Sequence, residues 1–280
     1  MYALPTTILG RTGLRVTRLG IGGAYCKTPE GYRAALDCGV TYLDTAPAYH
    51  DGEDERIVGE AIAGRRHEIV LATKTGKRDA AGARAELEKS LRLLGTDYID
   101  VWQIHYLNTV EEREQVLGPG GAMEAAVKAR EQGLVRFIGV TGHLWVEVGN
   151  AVATGLFDTV LCWYNCAMRE PEEVLFPHAL AHNVGVVIMQ ATRMEKLRDP
   201  GDASPERSAG LALTPPPLGD YYRYVLGHPA VSVVLRGMRN VEEFGQVAAA
   251  LSERETLAEA ERRQLEAYGA AMLAAGKLDL

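Results

Sequence analysis

Short apolar, β-branched runs recur along the chain, separated by longer stretches in which apolar residues return every three or four positions. The runs lie at 19–22, 41–44, 69–73, 99–104, 135–140, 159–163, 184–189 and 231–235. Most are near-continuous rather than alternating, as strands buried on both faces are. Between them, Leu87, Leu91 and Leu94 share one face of a helix over 80–94. Thr28 followed by Pro29 reads as the cap and first turn of a helix over 29–38. Asn240 with Glu243 approximates a capping box for a helix whose Val241, Phe244, Ala248 and Leu251 fall on one side. A last helix is expected over 257–275, and residues 7–16 read as a hairpin around Gly10 and Gly13.

Eight strand–helix alternations predict parallel pairing, because each crossover helix returns the chain to the same end of the sheet. The expected fold is a closed (β/α)₈ TIM barrel, with the hairpin closing its bottom and an extra C-terminal helix outside. The competing fold is an open doubly wound sheet. It would carry a Gly-x-Gly-x-x-Gly turn after the first strand, but Gly20-Ile-Gly22-Gly23-Ala-Tyr25 lacks the third glycine. The 280 residues are expected to form one barrel domain. Residues 193–218, rich in Pro, Asp, Ser and Gly, are too long for a plain connection and read as a lid or binding loop.

A net charge of −7 argues against nucleic acid as a partner, since an acidic surface repels phosphate backbones. No run approaches the length of a membrane span, and the start lacks the basic and apolar regions of a signal peptide, so a cytoplasmic location is expected. Cys26, Cys38, Cys162 and Cys166 have no metal-ligand spacing and read as buried thiols. Gly76-Lys77 lacks the spacing of a phosphate-binding loop. His50 and His143 fall near the barrel mouth as wall residues, and Tyr221, Tyr222 and Tyr224 read as helix packing.

In a barrel, chemistry sits where strands end. Asp44 ends the second strand with Tyr49 in its loop, Lys74 follows the third, and His105 follows the fourth. Each closes an apolar run, so Asp44 and Lys74 are expected to pair rather than face a dry mouth alone. An ammonium beside Tyr49 would favour the phenolate and lower its pKa by ~1–3 units. A neutral His105 could donate a hydrogen bond to a substrate carbonyl. The set suits protonation of an oxyanion as hydride reaches its carbon. The alternative is an isomerase or lyase working through an enolate at the same mouth.

The chain resembles the aldo-keto reductases. The likeness rests on Gly13-Leu-Arg-Val-Thr-Arg-Leu-Gly-Ile-Gly22, Thr41-Tyr-Leu-Asp44-Thr-Ala-Pro-Ala-Tyr49, Ala72-Thr-Lys74, Leu94-Gly-Thr-Asp-Tyr-Ile-Asp-Val-Trp-Gln-Ile-His105 and Gly133-Leu-Val-Arg-Phe-Ile-Gly-Val140. The resemblance implies a (β/α)₈ barrel that reduces a small-molecule carbonyl with NADPH, or NADH, and a catalytic tetrad on Asp44, Tyr49, Lys74 and His105 with Tyr49 as proton donor. Its cofactor residues would be Gly22, Gly23, Asp44, Thr141, Gln190, Arg236, Gly237 and Arg239, the arginines on phosphate. Here the chain departs from the family pattern. Thr141-Gly142-His143 stands where Ser-Asn is usual, Leu161 where a Gln is usual, Gln190 and its neighbours where an aromatic residue is usual, and Glu243 where a Gln or Arg is usual. Thr141 and Gln190 can still hydrogen-bond an amide, whereas Glu243 would repel a 2′-phosphate.

Overall fold

The computed structural model describes residues 2–198, 214–239 and 241–278. The centre of the 193–218 segment and Asn240, the expected helix cap, lie outside the described residues. Two short strands, β1 (Thr6–Ile8) and β2 (Arg15–Thr17), pair antiparallel as the N-terminal hairpin. They precede β3 (Leu19–Gly22), β4 (Tyr42–Asp44), β5 (Val70–Thr75), β6 (Ile99–Ile104), β7 (Val135–Thr141), β8 (Thr159–Trp163), β9 (Gly185–Met189) and β10 (Val231–Gly237). These eight are parallel, pair in chain order, and close when β10 pairs with β3. The fold is the expected (β/α)₈ TIM barrel. Three strands outrun their apolar runs: β5 extends through Lys74 and Thr75, β7 through Thr141, and β10 through Arg236 and Gly237. Chemistry-bearing residues there sit on strand backbone rather than in loops.

The near-continuous apolar pattern follows from two cores. Tyr42, Val70, Ala72, Val101, Leu161, Val187 and Val233 point into the barrel. Their neighbours, such as Leu71, Trp102 and Val186, point outward against the helices. Side-chain capping sets several helix starts. Thr28 accepts from the Gly31 amide at the start of Pro29–Asp37, and Asp79 accepts from Gly82 at the start of Ala80–Leu94. Thr109 and Glu112 form a capping box before Val110–Leu117. Gly95 then ends Ala80–Leu94 in a left-handed conformation.

The hairpin plugs the lower end of the barrel. Leu9 and Val16 are buried and join the interior core. Gly10 (φ +48°) lies so close to the chain before β9 that a Cβ would sit 2.3 Å from the Gly185 amide nitrogen. The C-terminal helix Glu259–Ala274 lies outside the barrel, and Gly269 lets it approach the Cys166 backbone. Tyr268 on this helix and Tyr221 on Leu218–Leu226 both donate to the Leu197 carbonyl, fixing the segment after β9. Leu9→Ala should cost about 2–5 kcal/mol, the range for truncating a fully buried leucine, and urea titration measures it.

Candidate active site

Asp44 and Lys74 end up side by side because β4 and β5 are neighbours in register. Both side chains are buried, at 2% and 1% exposure, and Lys74 Nζ lies 2.5 Å from Asp44 Oδ1. The ammonium also donates to the Thr45 carbonyl at 2.7 Å and to the Tyr49 hydroxyl at 3.1 Å. Gln103 on β6 donates to the other Asp44 oxygen at 2.7 Å. A buried pair is tolerable only when such further bonds satisfy both ions. Burial alone would lower the Lys74 pKa, but Asp44 and Tyr49 together outweigh it and hold the ammonium up at about 12.

The tetrad assembles around Tyr49. Its ring meets that of His105 edge-on, with centroids 6.2 Å apart. The expected drop in its pKa is corrected by the structure. Burial raises the phenol above its ordinary value, and Lys74 offsets only part of that rise. Tyr49 is therefore a protonated phenol at neutral pH. His105 is neutral: burial, then the cations Lys74 and Arg78 with His143 nearby, push its pKa down to about 2. Behind the tetrad, buried Asp54 accepts from Thr45 Oγ1, Tyr32 OH and the Ala24 amide, tying the ends of β3 and β4 together.

A cavity of about 300 Å³ opens at the strand ends, and Asp44 and Tyr49 line it. Of the expected cofactor residues, Gly22, Gly23, Gln190, Arg236, Gly237 and Arg239 also line it. Thr141 does not: it is buried, and its hydroxyl accepts from the Tyr106 amide. Gln190 places a buried amide oxygen without a partner in the cavity wall, which suits the amino group of a carboxamide. Gly237 serves Tyr25, whose ring would lie 2.4 Å from a Cβ there.

The two arginines differ in their surroundings. Arg236 is already paired with carboxylates, at 2.7 Å to Glu195 and 2.5 Å to Glu243. Arg198 bridges the same two glutamates at 2.5 and 3.0 Å. The four side chains form a ring with no net charge. Burial would raise the Glu195 carboxyl, but Arg198 and Arg236 pull it below the ordinary range. Arg239 instead lies over the Tyr25 ring, 4.5 Å from its centre. It borders a second cavity of about 430 Å³ that also holds Lys27. Tyr222 reaches the site too, accepting from Arg236 at 3.1 Å, while its neighbours Tyr221 and Tyr224 pack in the helix layer as expected.

Sequence reading missed Gln103, Asp54, Glu195 and Arg198. Gln103 carried a signal in its place near the end of β6, two residues before His105. Among the described residues no His, Cys, Asp or Glu cluster could hold a metal, and no helix is long and apolar enough to cross a membrane.

Comparison with known proteins followed the same direction. Residues 26–208 match the Aldo/keto reductase family. Aldo-keto reductase YhdN of Bacillus subtilis is 35% identical over 208 residues, covering 65% of this chain and 60% of that protein. This chain therefore spans about three fifths of the YhdN length. The holo form of aldo-keto reductase AKR11C1 from Bacillus halodurans superposes with a TM-score of 0.82 at 26% identity, covering 95% of this chain and 96% of that one. An aldo-keto reductase from Klebsiella pneumoniae in complex with NADPH gives a TM-score of 0.75 at 26% identity, covering 96% of each chain.

The neutral state of His105 has a consequence for stability. Folded His105 resists protonation down to about pH 2, whereas unfolded His105 takes up a proton below about 6.5. Stability is thus lost as pH falls below that ordinary value. His143, pushed down to about 4 by burial and then by Arg193, adds to the loss. His105→Gln should lose less Tm than wild type between about pH 7 and 5. Equal losses by circular dichroism would mean that His105 is charged when folded.

Proposed function

Because the chain belongs to the aldo/keto reductase family, we propose that it reduces an aldehyde or ketone to the alcohol with NADPH, Tyr49 acting as general acid. The observation that carries this reading is the Asp44–Lys74–Tyr49 chain of hydrogen bonds beneath a cavity with a spare amide acceptor, Gln190 Oε1. When bound, the reduced nicotinamide supplies the hydride that adds to the carbonyl carbon. Tyr49 gives its hydroxyl proton to the oxygen as negative charge gathers there, and Lys74 stabilises the resulting phenolate. Asp44 keeps Lys74 charged and in place. Neutral His105 donates a hydrogen bond to the carbonyl oxygen and orients it. The NADPH held by the Klebsiella neighbour supports the choice of cofactor. In this chain Gln190 would meet the carboxamide, and Arg239 with Lys27 would face the phosphate end.

Tyr49→Phe should lower kcat for carbonyl reduction by ~10²–10⁴, the worth of a general acid, while NADPH binding stays measurable by fluorescence. Near-wild-type turnover would remove Tyr49 from its role. In wild type, kcat/KM for reduction should be flat from about pH 5 to 9, because His105 stays neutral and Tyr49 stays protonated across that range. A limb near about pH 6.5 would assign a titrating histidine to the reaction.

The ion ring sets the cofactor preference in this reading. Arg236 is neutralised by Glu195 and Glu243, so those carboxylates oppose an added 2′-phosphate. Glu243→Gln should raise the ratio of NADPH to NADH affinity by ~3–10-fold, and Arg239→Ala should lower it by a similar factor. Fluorescence titration with both nucleotides reads the ratio. No change in either variant would place the phosphate elsewhere.

A further inference from the structure

Left-handed backbones at non-glycine residues gather at the mouth: Ala24 (φ +76°), His50 (φ +51°), Asp51 (φ +56°), Tyr106 (φ +56°) and Gln190 (φ +69°) are among them. A Cβ disfavours this conformation, so each persists only where its surroundings hold it. Tyr106 is held at both ends of its peptide unit, its amide on Thr141 and its carbonyl on Arg78. Those partners come from two different segments. Ala24 is held at both ends by one segment, the one that carries Tyr49.

His50 Nε2 donates to the Ala24 carbonyl at 2.8 Å, and Asp54 Oδ1 accepts from the Ala24 amide at 3.1 Å. Asp54 is fully buried and is itself fixed by the Tyr32 hydroxyl at 2.7 Å and Thr45 Oγ1 at 2.6 Å. The left-handed pair His50 and Asp51 brings the imidazole back over the loop that follows β3. What the two side chains hold runs across the cavity. At one end the Gly23 amide donates to the Asp44 carbonyl at 2.7 Å, and a Cβ on Gly23 would lie 2.5 Å from Asp54 Oδ2. At the other end the Tyr25 ring packs on Gly237 of β10 and lies under Arg239. Gly22, Gly23, Ala24 and Tyr25 all line the cavity, whereas His50 and Asp54 stand behind it.

Resting on the reductase reading above, we propose that His50 and Asp54 are positioning residues that lock Ala24 left-handed and so hold the 22–25 wall of the cavity in register with Tyr49. Released, Ala24 relaxes toward the backbone that a Cβ prefers, and Gly23 and Tyr25 shift with it against Asp44 and Arg239. NADPH then loses a preformed wall, and small misplacement at the reacting atoms lowers turnover. The carbonyl's own contacts lie elsewhere, so its KM is spared while NADPH affinity and kcat fall.

The full chain is compared as wild type, His50→Ala, His50→Gln, Ala24→Gly and the double variant of His50→Ala with Ala24→Gly. His50 is exposed, so replacing it leaves the core intact. Gln presents an N–H at a similar reach, and Gly takes a left-handed backbone with no Cβ to oppose it. Three quantities are read: protection of the residue-24 amide against hydrogen exchange in the free protein by NMR, NADPH affinity by fluorescence, and kcat with KM over a panel of aldehydes and ketones headed by methylglyoxal. His50→Ala should lower protection, NADPH affinity and kcat by ~3–10-fold each, the worth of one hydrogen bond, with the carbonyl KM within about twofold of wild type. His50→Gln and Ala24→Gly should stay near wild type, and Ala24→Gly should rescue His50→Ala on every readout. Wild-type protection and NADPH affinity in His50→Ala, even with a lowered Tm, would overturn the positioning role. So would a double variant no better than His50→Ala, because the clamp would then oppose no strain. Asp54→Ala should lose more protection than His50→Ala, and a folded Asp54→Ala with wild-type protection would remove Asp54 from the clamp. Protection and NADPH affinity that follow the clamp, with no NADPH oxidation by any carbonyl, would sink the reductase reading and leave the clamp standing.

Discussion

The buried pair of Asp44 and Lys74 is the constraint on which the rest of the mouth depends. Two ions at 2% and 1% exposure forfeit several kcal/mol of hydration each, and a single contact between them does not repay it. The barrel supplies the remainder. β6 brings Gln103 to the second carboxylate oxygen, the Thr45 carbonyl takes a second ammonium proton, and the Tyr49 hydroxyl takes the third. Tyr49 is thus a structural partner of the pair, whatever else its hydroxyl does. Asp54 extends the same logic outward by holding Thr45 and Ala24. Satisfying one buried charge has ordered the ends of β3, β4, β5 and β6.

The barrel strands were legible because burial on both faces leaves a simple trace, an apolar run that stops at a polar residue. The same trace exposed Asp44, Lys74 and His105, each at such a stop. It exposed less where partners lie far apart in the chain. Arg236 holds Glu243, seven residues on, and Glu195, forty-one residues back. Tyr222 looked like its neighbours Tyr221 and Tyr224, and only the helix phase turns it toward Arg236. Tyr49 was misread in degree. A neighbouring ammonium is visible in a sequence, but the depth of burial that outweighs it is not.

The two arcs of the mouth solve opposite problems. The tetrad needs fixed geometry, so its charges stand on strand backbone and in short loops. The β9–β10 arc handles charge through side chains. Two arginines and two glutamates neutralise one another there, and Arg193, Met194 and Glu195 follow in successive left-handed conformations. A ring of this kind can exchange one carboxylate for another anion without unfolding anything, because each arginine retains a second partner. The buried Asp44–Lys74 pair has no such freedom, because removing either partner leaves the other ion uncompensated.

The left-handed backbone at Tyr106 has an evolutionary reading. Such a backbone accepts Gly, Asn, Asp and, less readily, His, and it penalises branched aliphatic residues. Single drift from tyrosine through leucine, valine or isoleucine is closed by the main chain before any ligand is considered. Phe and His keep a ring at this position, whereas Gly, Asn and Asp take the same backbone and remove it. At this point of the cavity wall the main chain therefore filters side chains by their branching before any ligand does.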